Sequence, residues 1–72
     1  MSEYQLFLQE RDRIDFLLQK GYKITGIVEN LSGAFVDFEN GKEDDKETLH
    51  IVTPEGRKYF SVVLIKQQKE GA

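Results

Sequence analysis

The chain has no cysteine, one histidine and one proline, and it carries no excess of positive charge. Each scarcity narrows what it can be. Without cysteine there are no disulfides and no thiolate metal sites, and His50 alone cannot build an ordinary zinc site. The net charge of −3 argues against a protein held to nucleic acid by bulk positive charge, while leaving room for a local basic patch. No apolar run approaches the roughly 18 residues that span a bilayer. The opening residues, MSEYQLFLQERD, are acidic and amphipathic and lack the basic start of a signal peptide. These features, with 32% charged residues, lead to the expectation of a cytoplasmic protein without a membrane partner. Nucleophilic catalysis needs a base beside a serine or threonine, and one histidine shows no such pairing. The expectation is therefore no enzyme and no cofactor.

At 72 residues the chain makes one domain. Folding at this size buries only about 60% of the unfolded surface. With disulfides excluded and no metal set visible, oligomerisation is the remaining supplement.

Ser2 and Gln5 have the spacing of a capping box, and Tyr4, Phe7, Leu8 and Arg11 follow on one side of a helix over about residues 3–11. Alternation then predicts strands. The first covers about 13–19, with Ile14, Phe16 and Leu18 on one face. Lys20-Gly21 supplies a hairpin turn, because glycine takes positive φ without steric cost. A second strand at about 22–31 is interrupted by Gly26, which marks a bulge or bend. Ser32-Gly33 turns into a third strand at about 34–39, where Ala34, Val36 and Phe38 share a face. Residues 39–47, ENGKEDDKE, read as a polar loop, since Glu43, Asp44 and Asp45 lack the alternating ligands and glycine of a calcium loop. A fourth strand runs over about 47–53, Pro54-Glu55-Gly56 turns, and a fifth strand occupies about 57–65. Residues 62–65 are apolar on both faces and call for cover on both sides, one of them from another subunit. The domain is read as 1–66, with a polar tail at 67–72.

The spacing Leu18-x-x-Gly21-x-x-x-x-Gly26-x-Val28, followed by Leu31, a short turn and an apolar strand, resembles the first motif of the Sm-like family, including the bacterial Hfq proteins. The resemblance covers nearly the whole chain and fits Hfq better than the eukaryotic Sm proteins. It implies a mainly β fold: a short N-terminal helix and a five-stranded, strongly bent antiparallel barrel of SH3-like, Sm-like type. It implies subunits that pair the fourth strand of one with the fifth of the next and close a homo-oligomeric ring. Leu49, Ile51, Val62, Val63, Leu64 and Ile65 would then form the subunit interface. Gly21, Gly26, Gly33 and Gly56 would be structural turn and bend residues.

The same resemblance implies single-stranded RNA on the inner rim, with no role for DNA. Ser32 holds the place of the family's acidic residue after the bent strand. Phe35 lies one position past its base-stacking aromatic. Arg57 and Lys58 fall where the family places its second motif, within phosphate reach. The leading expectation is a ring-forming, RNA-associated protein. The alternatives are a small β-barrel protein-interaction module without RNA activity, and a monomeric SH3-like or OB-like barrel.

Overall fold

Ser2 starts the first helix: its Oγ accepts the Gln5 N–H at 3.2 Å, the bond by which an N-cap satisfies a free donor of the first turn. The computed structural model describes residues 2–70 and extends this helix, α1, over Glu3–Gln19. The expected strand at 13–19 is therefore its second half. Ile14, Phe16 and Leu18 do alternate, but Glu10, Ile14 and Leu17 are buried while Phe16 is 56% exposed. That is a stripe spaced four and three residues apart, the repeat of a helix.

Lys20-Gly21 ends α1 instead of turning a hairpin. Gly21 has φ 95°. Its N–H reaches the Leu18 carbonyl at 3.1 Å, and the Tyr22 N–H reaches Leu17 at 3.0 Å. This pair of bonds is a Schellman motif, which requires a left-handed residue and so favours glycine. Tyr22 then packs with Leu17 in the core.

Three strands follow: β1, Lys23–Asn30; β2, Gly33–Asn40; and β3, Asp45–Ile51. They form one antiparallel sheet with β2 in the middle. The register slips between Ile24 and Gly26 opposite β2, so Gly26 does sit at a bulge. The β1–β2 turn is held by Asn30, whose Oδ1 accepts the Ser32 N–H at 2.8 Å. Gly33 has φ 121°, and a Cβ there would lie 2.7 Å from the Ile51 carbonyl. Asn40 closes the other end. Its Oδ1 accepts the Lys42 N–H, and its Nδ2 donates to the Lys20 carbonyl at the end of α1.

The chain closes with a second helix, α2, over Pro54–Glu70. This overturns the expected fifth strand at 57–65 and the expected turn at Pro54-Glu55-Gly56. Thr53 is the N-cap: its Oγ1 accepts the Gly56 N–H at 2.9 Å, and its carbonyl accepts the Arg57 N–H at 3.1 Å. Pro54 takes the first helical position, where its missing N–H costs nothing. The β-branched residues that suggested a strand are instead spread around a helix, with Phe60 buried and Val62 and Ile65 exposed. The helix also runs through much of the expected tail; residues 71 and 72 lie outside the described region.

The architecture is thus two layers in the order αβββα, not a mainly β fold. The core residues of both helices, among them Ile14, Leu17 and Phe60, pack with Ala34, Val36 and Phe38 from one face of β2. Among the described residues there is no closed five-stranded barrel, Sm-like or otherwise, because they supply only three strands. The strand-to-strand ring closure fails for the same reason, since the segment meant to pair with a neighbour's fourth strand is helical. Among the described residues, no helix is long and apolar enough to cross a membrane.

The two helices are joined at one buried point. Glu10 is 5% exposed, and its two oxygens accept from the Val52 N–H at 2.7 Å and from the Thr53 hydroxyl at 2.5 Å. A Cβ on Gly56 would strike Glu10 Oε1 and would lie 2.8 Å from Ile51 Cγ2 and 2.9 Å from Thr53 Oγ1. Gly56→Ala should therefore lower stability by about 1–3 kcal/mol from overpacking, although alanine in a helix interior is usually better than glycine by about 1 kcal/mol. Urea unfolding followed by circular dichroism measures it. In a Glu10→Ala background the penalty should be smaller, and strictly additive losses would show that Glu10 does not set the constraint.

Candidate interaction surface

An antiparallel sheet of three strands has two edges, and each presents a row of backbone donors and acceptors. Here the two edges differ. At β1 the amide of Gln67, from α2, takes both groups of Ile24: Oε1 accepts its N–H at 2.9 Å and Nε2 donates to its carbonyl at 2.8 Å. The side chain stands in for a neighbouring strand.

The same contact fixes the phase of the sheet. Ile24 points its backbone groups away from β2, so the Ile24–Phe38 pair is not hydrogen-bonded and Phe38 turns toward Glu47 on β3. Along β3 the outward groups then belong to Lys46, Thr48 and His50, with Val52 next. The Val52 N–H is taken by Glu10, and the Lys46 N–H by Asp45 Oδ1 at 3.0 Å. Thr48 keeps its N–H and carbonyl without a partner among the described residues, and its hydroxyl is turned back to Asp37 Oδ1 at 2.8 Å. The outward groups of His50 continue the same rail.

A groove runs beside this open edge. Asp12, Arg13, Phe16 and Leu17 of α1 and Glu47 and Leu49 of β3 line a volume of about 360 Å3. Leu49 and Phe16 form its apolar floor and wall. Lys20 Nζ lies 4.7 Å from the Phe16 ring centre, a cation–π contact that holds the ring in place.

Carboxylates dominate the start of β3. Tyr22 donates its hydroxyl to Asp45 at 2.5 Å. Its phenol is pushed up from 10.0 to about 12, first by that bond, then by burial, then by the negative charge of Asp45, Glu47 and Glu43. Tyr59 is raised too, first by its hydrogen bond to Asp15, then by burial. Both phenols tie a carboxylate to another element and stay neutral. Among the described residues no three acidic or histidine side chains are grouped to hold a metal ion.

The residues expected to bind RNA do not converge. Arg57 sits in the first turn of α2 with its guanidinium 3.0 Å from Glu29, and Lys58 is exposed next to it. Ser32 is in the β1–β2 turn, where its carbonyl meets His50 Nε2 at 2.6 Å. Phe35 lies on the sheet face away from the helices, with its ring stacked on His50 at 4.4 Å and 3°. The structure therefore links Ser32, His50 and Phe35 on one side and places Arg57 and Lys58 on α2. The residues expected at a subunit interface also divide. Ile51 is buried in the core, Leu49, Val63 and Leu64 pack partly against it, and Val62 and Ile65 face outward. Thr48, Glu47 and Gln67 were not singled out from the sequence, and Phe16 was placed on the face of an expected strand, because their roles depend on strand phase and on the helical segments that the alternation concealed.

Searches against protein families, curated proteins and solved structures find no match for this chain. Any functional reading rests on the surface just described.

The phenol of Tyr22 gives a pH test of the β3 end. Its folded value lies above its unfolded one, so its stabilising contribution is complete below pH 10.0 and is lost as the pH rises toward about 12. Unfolding midpoints measured across that range should fall more steeply for the wild type than for Tyr22→Phe. Equal slopes would show that the Tyr22–Asp45 bond is not maintained in solution.

Proposed function

We propose that the protein is a protein-interaction module that takes an extended segment of a partner along the β3 edge, adding a fourth strand to its sheet. The observation that carries this reading is the β3 edge itself, where Thr48 and His50 lie beside the Phe16–Leu49 groove, whereas α2 reaches the β1 edge through Gln67 at Ile24 and Arg57 at Glu29. Main-chain bonds along such a rail give affinity, and a flanking pocket gives selectivity for alternate side chains.

Single-stranded RNA is the second reading, supported by adjacent Arg57 and Lys58 near the β1–β2 turn. Less favours it. Glu29 neutralises Arg57, His50 covers one face of the Phe35 ring, and the chain is net acidic. Stacking on a base needs an open ring face.

Thr48→Pro separates the two. The Thr48 N–H points outward, so proline there removes no ladder bond inside the sheet, but it denies the edge to an incoming strand. Pull-downs from cell extract with wild-type protein should recover proteins that nuclease treatment does not release, and Thr48→Pro should lose them while keeping the wild-type circular dichroism. Capture that nuclease abolishes, with Thr48→Pro behaving as wild type, would favour RNA and overturn the edge.

A further inference from the structure

The charge around the open edge restricts what can lie on it. Glu43 and Asp44 occupy the β2–β3 loop, and Asp45 and Glu47 follow on the first half of β3. Glu47 also lines the groove, opposite Asp12. The basic side chains nearby are Lys42 in the same loop, Lys46, which reaches Glu39 at 3.8 Å, Arg13 at the groove on α1 and Lys20 over the Phe16 ring; with Lys46 and Lys20 engaged, the carboxylates Asp12, Glu43, Asp44, Asp45 and Glu47 outnumber them. The raised phenol of Tyr22 reports the same negative field, since Asp45, Glu47 and Glu43 all contribute to it. Farther along β3 the acidic character gives way to Leu49, with Phe16 across the groove.

A strand added here would alternate its side chains between the two sheet faces. On the helix side it would meet Glu47 and then Leu49, with Phe16 beside them. We infer that the occupant of the β3 edge is an extended, lysine- or arginine-rich segment of another protein, with a large apolar side chain that enters the Phe16–Leu49 groove while its basic residues face Glu43, Asp44 and Glu47. This rests on the reading of β3 as a strand-addition site and names the partner that fits it.

A second copy of this chain fits less well. Antiparallel self-pairing centred on Leu49 lays Glu43 toward Glu55 of the neighbour, and centred on Thr48 it lays Glu47 against Leu49 and leaves the acidic loop of each copy without a cationic counterpart. Neither arrangement compensates the carboxylates, which disfavours pairing of two copies.

Selection from a displayed library of random peptides, about nine residues long so that each exceeds a typical strand of about 5–6, tests the inference directly. Peptides retained by the wild-type protein should be rich in lysine or arginine and should carry a large apolar residue. A synthetic copy of one of them should shift the amide resonances of Thr48, Leu49 and His50. Its affinity should fall about tenfold on reversing two charges, in Glu43→Lys/Glu47→Lys, and should weaken with salt. Phe16→Ala, which removes a half-exposed ring, should weaken it as well and serves if Thr48→Pro does not fold. Acidic or uncharged peptides that still require an intact Thr48 edge would overturn the partner class and leave the strand-addition reading standing. Peptides whose binding ignores both Thr48→Pro and Phe16→Ala would overturn both. Failure to retain any peptide would also overturn the basic-segment inference, and the extract experiment with Thr48→Pro would then decide strand addition by itself. A dimer in native mass spectrometry that Thr48→Pro dissolves would replace the foreign segment with a second copy.

Discussion

The fold depends on a buried carboxylate. Glu10 comes from the middle of α1, and both its oxygens are used where β3 ends and α2 begins. An isolated carboxylate in such a place would cost several kcal/mol, so Glu10 is tolerable only because Val52 and Thr53 present donors to it. The dependence is mutual. Thr53 caps α2 through one lone pair and donates its hydroxyl hydrogen bond to Glu10, and in a usual capping box a glutamate three residues into the same helix would complete the set. Here that third position is Gly56, and the carboxylate arrives from another helix. Glycine is required because the oxygen fills the space a side chain would need.

From this joint the rest of the surface follows. It fixes where α2 starts, and a helix rising about 1.5 Å per residue carries Gln67 roughly 21 Å beyond Thr53. That reach brings the Gln67 amide to Ile24 and closes the start of the β1 edge. The same joint takes the Val52 N–H out of the β3 edge and halts any added strand at His50. One contact therefore sets the far closure of one edge and the near limit of the other. The Asp15–Tyr59 hydrogen bond supports the alignment between the helices, and Asn40 holds the end of α1 to the sheet from the other side.

The sheet and the start of α1 were legible in the sequence, while the second half of α1 and the whole of α2 were not. Ser32-Gly33 and the polar run that begins at Glu39-Asn40 are turn signals, so all three strands of the sheet emerge close to their true bounds. Residues 13–19 defeated the alternation because Ile14, Phe16 and Leu18 satisfy a period of two over a span too short to exclude a period of 3.6. The buried Glu10 would have extended the helical stripe, but a glutamate is not read as a core residue. At 57–65, β-branched content outweighed the signal just before it: Thr53-Pro54 is an N-cap followed by proline at the first helical position. Gly21 and Gly26, which carry the family resemblance, serve a helix end and a bulge here. The open edge was beyond reach from sequence alone, since which of Thr48 or Leu49 faces outward is decided by pairing phase.

An exposed strand edge is a hazard as well as an opportunity, and charges on it are a common defence against indiscriminate pairing. β3 carries Asp45, Lys46 and Glu47 on its first half, whereas at the start of β1 a side-chain amide saturates the donor and acceptor of Ile24 and Arg57 of α2 pairs with Glu29 farther along. The two defences differ in kind. An amide in the place of a neighbouring strand blocks pairing at Ile24 whatever the composition of the incoming segment. A cluster of carboxylates disfavours copies of the same acidic chain, yet it lowers the cost of approach for a cationic segment. If β3 takes an added strand as proposed, the carboxylates that disfavour pairing of two copies would also favour a cationic segment, so both effects would follow from one electrostatic property.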